Sequence, residues 1–133
     1  MVKAVNMKEF KYFTILDTNM VKSIKISVKG KRLFINVEVC RSPLSQARGL
    51  MFSKRRNLLF VFPEERFVPL HMFFVFFPIE VFFLNSKGRV LEKAHLKPFS
   101  FFSPKKRAKY VLEVCESSFG EKVKVGDLLL WTE

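Results

Sequence analysis

Residues 73–84 read FFVFFPIEVFFL, and this stretch decides the fold of the chain. Nine of the seventeen phenylalanines lie between Phe60 and Phe83. β-Branched and aromatic residues favour strands, so the part after the proline predicts a strand over residues 79–84 with apolar side chains on both faces. Such a strand must be covered on both faces. This predicts a closed or curled sheet, or a sheet with a helix across one face.

The segments on either side alternate short apolar runs with turn signals. Residues 21–28 and 33–40 predict a hairpin around Gly30, and Ser42-Pro43 predicts the start of a helix over residues 43–51. Residues 70–77 are expected to be extended, in part as a strand. Residues 98–104 are expected to form a loop, and residues 117–120 a turn or one helical turn. Further strands are predicted at residues 58–62, 90–96, 110–115, 123–125 and 128–131. We therefore predict a mainly β, compact, largely antiparallel barrel-like or curled sheet with one short helix near residues 43–51.

Length and composition predict one domain over residues 1–133, in which residues 1–20 form an N-terminal extension or a first strand. The apolar fraction of 49% excludes disorder of the whole chain. The net charge of +12 favours attraction to polyanions, and nucleic acid is one such partner. The plainer interpretation is that these charges are solvated in loops. The residues that would bind a polyanion are Lys54, Arg55, Arg56, Lys105, Lys106, Arg107 and Lys109.

The sequence supports no cofactor and no membrane partner. Cys40 and Cys115 stand in no metal-ligand spacing and form no disulfide framework, so we expect an intracellular, cytoplasmic protein. The two histidines lack a metal-binding spacing, and the five glycines are scattered singly, without a phosphate-binding loop. Charge and proline interrupt the apolar run over residues 68–84, which argues against a membrane-spanning helix.

Glu80 is the one charge inside the phenylalanine-rich run. A buried carboxylate must be paired or neutral, and Arg48, His71 and His95 are the candidate partners. One interpretation is a structural ion pair, and the other is a pocket for a small molecule. Glu113 is a second carboxylate in an apolar strand; if it faced Glu80, the two could perform acid–base chemistry.

Six segments occur in an order and spacing that resemble a known family. They are ARGLMF (47–52), LLFVF (58–62), HM (71–72), FPIEVFF (77–83), YVLEV (110–114) and VGD (125–127). The set resembles the family called domain of unknown function one-nine-two, also uncharacterised protein family zero-one-two-seven, over residues 36–131. The resemblance implies a small β-rich domain and implies no established activity.

The chain departs from the family pattern near its candidate site. His71 stands where an aromatic residue is usual, residues 73–75 replace a polar Lys-Asn-Thr stretch, and Glu80 replaces an aspartate. Chemistry that the polar stretch carries in relatives would be missing here.

The leading hypothesis is a binding or accessory module for a small molecule or protein, with a site near Glu80, His71, Arg48 and Glu113. A basic nucleic-acid-binding protein and an enzyme with a buried carboxylate pair are the alternatives. The oligomeric state does not follow from the sequence.

Overall fold

The structure is a computed structural model that describes residues 22–132. The strands are β1 (Lys22–Val28), β2 (Phe34–Cys40), β3 (Leu58–Arg66), β4 (Leu70–His71), β5 (Ile79–Leu84), β6 (Val90–Leu96), β7 (Phe101–Phe102), β8 (Ala108–Val114) and β9 (Leu129–Leu130). The helices are α1 (Pro43–Arg48) and α2 (Ser117–Lys122). Neither of these helices has the length and apolarity needed to span a bilayer. The prediction for residues 1–20 lies outside the described residues, and the predicted mainly β fold is confirmed.

Seven strands form one sheet in the order β6-β5-β8-β3-β2-β1-β9, and β4 pairs with β7 in a small separate sheet. All neighbours in the large sheet are antiparallel except β2 and β3, which α1 connects as a parallel pair. The two ends of the sheet meet where Arg89 forms a β-bridge with Leu128. There the Val90 N–H donates to the Asp127 carbonyl at 2.9 Å. The sheet is therefore curled, as the apolar strands predicted.

Alternate side chains of β5 enter two different hydrophobic cores. Phe82 and Leu84 belong to the first core, which also takes residues from β1, β2 and β9 and is plugged by Phe119 of α2. Val81 and Phe83 belong to the second core, which the segment after α1 and residues 67–77 cover. Full burial of each large apolar side chain contributes about 1.5–3 kcal/mol. The curl exists because one set of side chains from distant strands packs together.

Helix α1 begins where the sequence predicts and ends earlier. The Ser42 hydroxyl accepts from the Ser45 N–H at 3.2 Å, and Pro43 occupies the first turn. Gly49 then adopts a positive φ of 49°, which ends the helix at Arg48 instead of at the predicted residue 51.

Three further boundaries differ from the predictions. Strand β3 does not end at the predicted residue 62 before Pro63, because the pairing with β8 shifts register between Val61 and Arg66 and so requires no N–H from the proline. Within residues 70–77 only β4 is a strand; residues 73–74 form a turn and residue 77 a bend. Residues 123–125 are not a strand, whereas the helical turn predicted at residues 117–120 is confirmed as the first part of α2.

The turn between β5 and β6 provides a test of the sheet closure. Gly88 has φ +87°, and a Cβ there would lie 2.6 Å from the Leu129 carbonyl oxygen. Gly30 has a similar φ of +80° with no atom within 4 Å. Gly30→Ala should lower the free energy of unfolding by about 1 kcal/mol, the penalty for the left-handed backbone. Gly88→Ala should cost about 2–4 kcal/mol, because β9 must also move. Equal losses in urea denaturation would contradict the role of Gly88 in closure.

Candidate functional site

A cleft of about 540 Å³ opens between the C-terminal end of α1 and the strands β3 and β4. Its walls are mostly apolar, and four polar or charged groups that reach it matter for its chemistry. The apolar lining includes Phe60, Phe62, Leu70, Met72 and Val75, and the polar groups are Gln46, Arg48, His71 and Glu113. A wider depression of about 640 Å³ lies elsewhere, near Lys31 and Glu121, but it is shallow and none of its side chains is buried. The cleft is therefore the better candidate for a specific site.

Glu113 of β8 lies buried at the base of the cleft, with 6% of its surface exposed. No described residue hydrogen-bonds to its carboxylate, and since no fully buried side-chain oxygen of residues 22–132 lacks a partner, the carboxylate oxygens are open to the cleft. Burial raises the pKa of Glu113 to about 7, and the positive charge of Arg56 opposes this rise only in part. The turn at Gly49 closes over the acid, since a Cβ on Gly49 would lie 3.7 Å from Oε1 of Glu113.

Arg56 does not neutralise Glu113 directly, because other groups hold its guanidinium. It forms an ion pair with Glu38, and its Nε donates to the Ser53 hydroxyl at 2.8 Å. A further N–H donates to the Gly49 carbonyl at 3.3 Å. The Glu113 carboxyl group is therefore open to the cleft and lies near a cation that is already paired.

Two amide side chains fix the framework around the cleft. Gln46 of α1 donates to the Cys40 carbonyl at 3.0 Å and to the Val61 carbonyl at 2.8 Å, which ties the helix to β2 and β3. Buried Asn57 accepts from the Cys115 N–H at 3.0 Å, just after β8. The sequence analysis missed both residues, because their partners are backbone groups that no motif reveals.

His71 and Arg48 line the same cleft as Glu113. His71 is half-buried, burial lowers its pKa, and its Nδ1 accepts from the Phe73 N–H at 3.3 Å. An imidazole that accepts at Nδ1 is neutral at that nitrogen. Arg48 is half-buried, and its guanidinium makes no hydrogen bond or ion pair within residues 22–132. The cleft thus brings together three of the four residues predicted for the pocket.

Glu80, the fourth, lies on the other face of the sheet, so the predicted pocket with all four residues is wrong. In the β5–β8 register Glu80 is opposite Val114, while Val81 is opposite Glu113. Side chains of neighbouring strands share a face only when they are in register, which places the two carboxylates on opposite faces. The hypothesis of a facing carboxylate pair is therefore wrong as well.

The partner of Glu80 is His95, which lies directly opposite it on β6. The distance from Oε1 of Glu80 to Nδ1 of His95 is 2.6 Å, and 18% of the Glu80 side chain is exposed. Neither Arg48 nor His71 reaches this carboxylate, because both lie in the cleft on the opposite face.

The basic clusters lie mostly in loops, where they were expected. Lys54, Arg55 and Arg56 follow α1, residues 105–107 precede β8, and Lys109 lies within β8. Lys109 donates to the Pro63 carbonyl at 2.9 Å, and this contact and the ion pair of Arg56 occupy two of the seven proposed polyanion-binding residues. Over residues 22–132, no three histidine, cysteine or acidic side chains converge as a metal site would require.

Replacing Glu113 tests its state of protonation. The folded protein holds this proton more tightly than the unfolded chain, so the contribution to stability is full below about pH 4.5 and is lost as the pH rises through about 7. The loss should total about 3 kcal/mol. Glu113→Gln should remove this slope from the pH profile of urea denaturation, and exposed Glu121→Gln should leave it unchanged. An unaltered slope in Glu113→Gln would show that the acid is solvated.

Gly120 of α2 packs against Glu80 on the opposite face, and this contact gives a second test. A Cβ on Gly120 would lie 2.3 Å from Cγ of Glu80. Gly120→Ala should therefore cost about 1–3 kcal/mol of stability. In a Glu80→Ala background, which removes the clashing Cγ, the cost should fall by half or more. A double-mutant cycle measures this coupling, and additive effects would contradict the contact.

Two known proteins are similar to this chain in sequence. A UPF0127 protein of Pyrococcus furiosus is 38% identical over 110 residues, which cover 77% of this chain and 92% of the relative. A UPF0127 protein of Pyrococcus horikoshii is 37% identical, with 66% and 85% covered. Neither relative's name states an activity.

Two solved structures share the fold. One, titled a "putative transcription regulator" from Sinorhizobium meliloti, has a TM-score of 0.77 at 23% identity and covers 84% of this chain and 95% of its own. The other, a protein of unknown function from Novosphingobium aromaticivorans, has a TM-score of 0.72 at 20% identity, with 84% and 85% covered. The family model DUF192, described as "Uncharacterized ACR", matches residues 24–131, which begins earlier than the predicted residue 36. The chain therefore belongs to the DUF192 family, as the ordered segments of its sequence predicted.

Proposed function

We propose that this protein is a binding module whose cleft takes a small anionic molecule with an apolar body. The observation that carries the proposal is the Glu113 carboxyl group, which is largely buried and lines the cleft without a hydrogen bond from the described residues. No described side-chain oxygen is both fully buried and without a partner, so this carboxyl group opens to the cleft, where a ligand can hydrogen-bond to it. The amide bonds of Gln46 hold the wall beside it before any ligand arrives.

The charge around the cleft favours an anion. The Arg48 guanidinium makes no hydrogen bond or ion pair with the described residues, and Arg41 and Arg66 also line the opening. A carboxylate or phosphate group is the natural partner for an arginine at such a position. With a pKa of about 7, Glu113 is protonated in much of the population near neutral pH and can then donate to an acceptor on the ligand. An anion at Arg48 would favour that protonated form further.

A binding role fits the cleft better than acid–base catalysis. Glu80, the second carboxylate that the enzyme hypothesis requires, faces away from the cleft, and His71 already uses its Nδ1 to accept from the Phe73 N–H.

We place the protein in the cytoplasm, a proposal supported by the absence of a disulfide between Cys40 and Cys115. Nucleic-acid binding stays an alternative. The description of the Sinorhizobium protein as a transcription regulator applies to that protein, and an identity of 23% supports the fold alone.

The proposal is tested by titrating the protein with hexanoate, phenyl phosphate and neutral hexanol while amide shifts are followed by NMR. Both anions should perturb Gly49, Met72 and Glu113, and hexanol should bind at least about fivefold more weakly, since it lacks the charge that Arg48 recognises. Arg48→Gln should weaken the anions by about five- to tenfold and leave hexanol unchanged. Arg89→Ala, on an exposed arginine outside the cleft, is the matched control.

The pH dependence separates the role of Glu113 from that of Arg48. Anion binding should weaken as the pH rises through about 7, because Glu113 ionises and repels the ligand. Glu113→Gln, which stays neutral and keeps a donor, should bind with little dependence on pH. Shifts that map outside the cleft, or hexanol bound as well as the anions, would overturn the proposed function.

A further inference from the structure

Six exposed phenylalanines form a surface that the cleft does not use. Between 41% and 67% of each is exposed, although full burial of such a side chain would contribute about 1.5–3 kcal/mol. They come from the loop after α1, from the turns between β4 and β5, and from the segment around β7. This phenylalanine patch consists of Phe52, Phe73, Phe74, Phe76, Phe99 and Phe101.

Ring contacts join the three loops into one surface. Phe52 stacks on Phe74 with ring centroids 4.6 Å apart, and Phe99 contacts Phe74 at 5.9 Å and Phe76 at 5.4 Å. Phe73, the neighbour of Phe74 in sequence, contacts the Phe101 ring edge-on at 4.8 Å. Scattered apolar residues are ordinary on a protein surface, whereas a contiguous aromatic patch marks a contact surface.

The backbone holds these rings outward at an energetic cost. Phe52, Phe74 and Phe99 have φ values of 54°, 56° and 59°, and among the described residues they are the only non-glycine residues with positive φ. Such a conformation is unfavourable for a residue with a side chain. Backbone hydrogen bonds fix it: the Phe52 N–H donates to the Phe74 carbonyl at 2.8 Å, and the Phe99 N–H to the Met72 carbonyl at 2.9 Å. Buried Met72 anchors this network in the second core.

The chain segments that carry the patch are basic, although Glu38 pairs with Arg56 and Glu92 accepts from the Lys105 and Lys106 N–H groups. The segments 49–57, 67–79 and 97–109, which carry the phenylalanines, contain no aspartate or glutamate. They contain three basic residues in the first segment and five in the third. These are Lys54, Arg55, Arg56, Lys97, Lys105, Lys106, Arg107 and Lys109.

We propose that the phenylalanine patch docks on the surface of an anionic lipid bilayer. Exposed aromatic rings enter the boundary between headgroups and acyl chains, and the surrounding lysines and arginines attract anionic lipids. The protein then lies on the bilayer and does not cross it. This proposal departs from the expectation that the protein has no membrane partner.

Two other occupants fit the surface less well. Nucleic-acid bases need open ring faces, whereas Phe52 and Phe74 already stack on each other. A second copy of the chain would bring together two basic surfaces that have no acidic residues in these segments. An anionic bilayer satisfies both the apolar rings and the basic charges.

The test is co-sedimentation of the full chain with vesicles of phosphatidylcholine alone and of phosphatidylcholine and phosphatidylglycerol in equal amounts. Binding should require phosphatidylglycerol and should weaken as salt is added. Phe52→Asn with Phe99→Asn should reduce the affinity by about tenfold or more. Asparagine tolerates positive φ, so this double variant keeps the backbone of the loops.

The matched control is Phe34→Ser on β2, where an equally exposed phenylalanine (58%) lies outside the three segments. It should bind vesicles like the unchanged protein. Circular dichroism and thermal unfolding verify that each variant is folded. A loss of binding in Phe34→Ser equal to that in the double variant would overturn the proposal. Failure of the unchanged protein to bind the phosphatidylglycerol vesicles would also overturn the proposal. So would the finding that the patch is instead needed for dimerisation or for binding of single-stranded oligonucleotide.

Discussion

The rest of the structure depends on apolar burial on both faces of β5 and β8. These two strands carry large side chains alternately into two cores, so the sheet must curl around one core and receive loops over the other. The same alternation decides the fate of each charged residue on these strands. Glu80 goes to the face of α2 and meets His95, whereas Glu113 goes to the face of the cleft. One register between two strands thus separates a paired carboxylate from an unpaired one.

The Glu113 carboxyl group and the exposed aromatic rings share a physical feature. Each is held in an environment that costs free energy, and no contact within the described chain offsets that cost. Glu113 loses hydration without gaining a hydrogen bond, which raises its pKa to about 7. Phe52, Phe74 and Phe99 hold apolar rings in water on unfavourable backbone conformations. Costs of this kind are typical of surfaces and clefts that have a ligand or partner, and here they occur in two neighbouring but different places.

Much of the fold could be predicted because local patterns and burial agree in most segments. The strand over residues 79–84 and the cap at Ser42-Pro43 appear where the sequence places them. The predicted end of β3 at residue 62, before Pro63, was wrong, since a register shift in this strand means that no N–H is required from the proline. In residues 72–77, Val75 and Phe77 are buried while Phe74 and Phe76 are exposed. A run of nearly identical apolar residues contains no signal that could distinguish its two faces.

By itself, the sequence determined the strand-rich curled architecture, the family and three residues of the cleft, because these follow from composition, period and ordered motifs. Only the tertiary structure decided which carboxylate is unpaired and which phenylalanines meet water. The reason is physical: a pKa and an exposure depend on what lies across the sheet or in the next loop, and that neighbour comes from strands far away in the chain. Arg48, His71 and Glu113 share a cleft because α1, β4 and β8 meet there, and Glu80 does not because its strand points it to the opposite face.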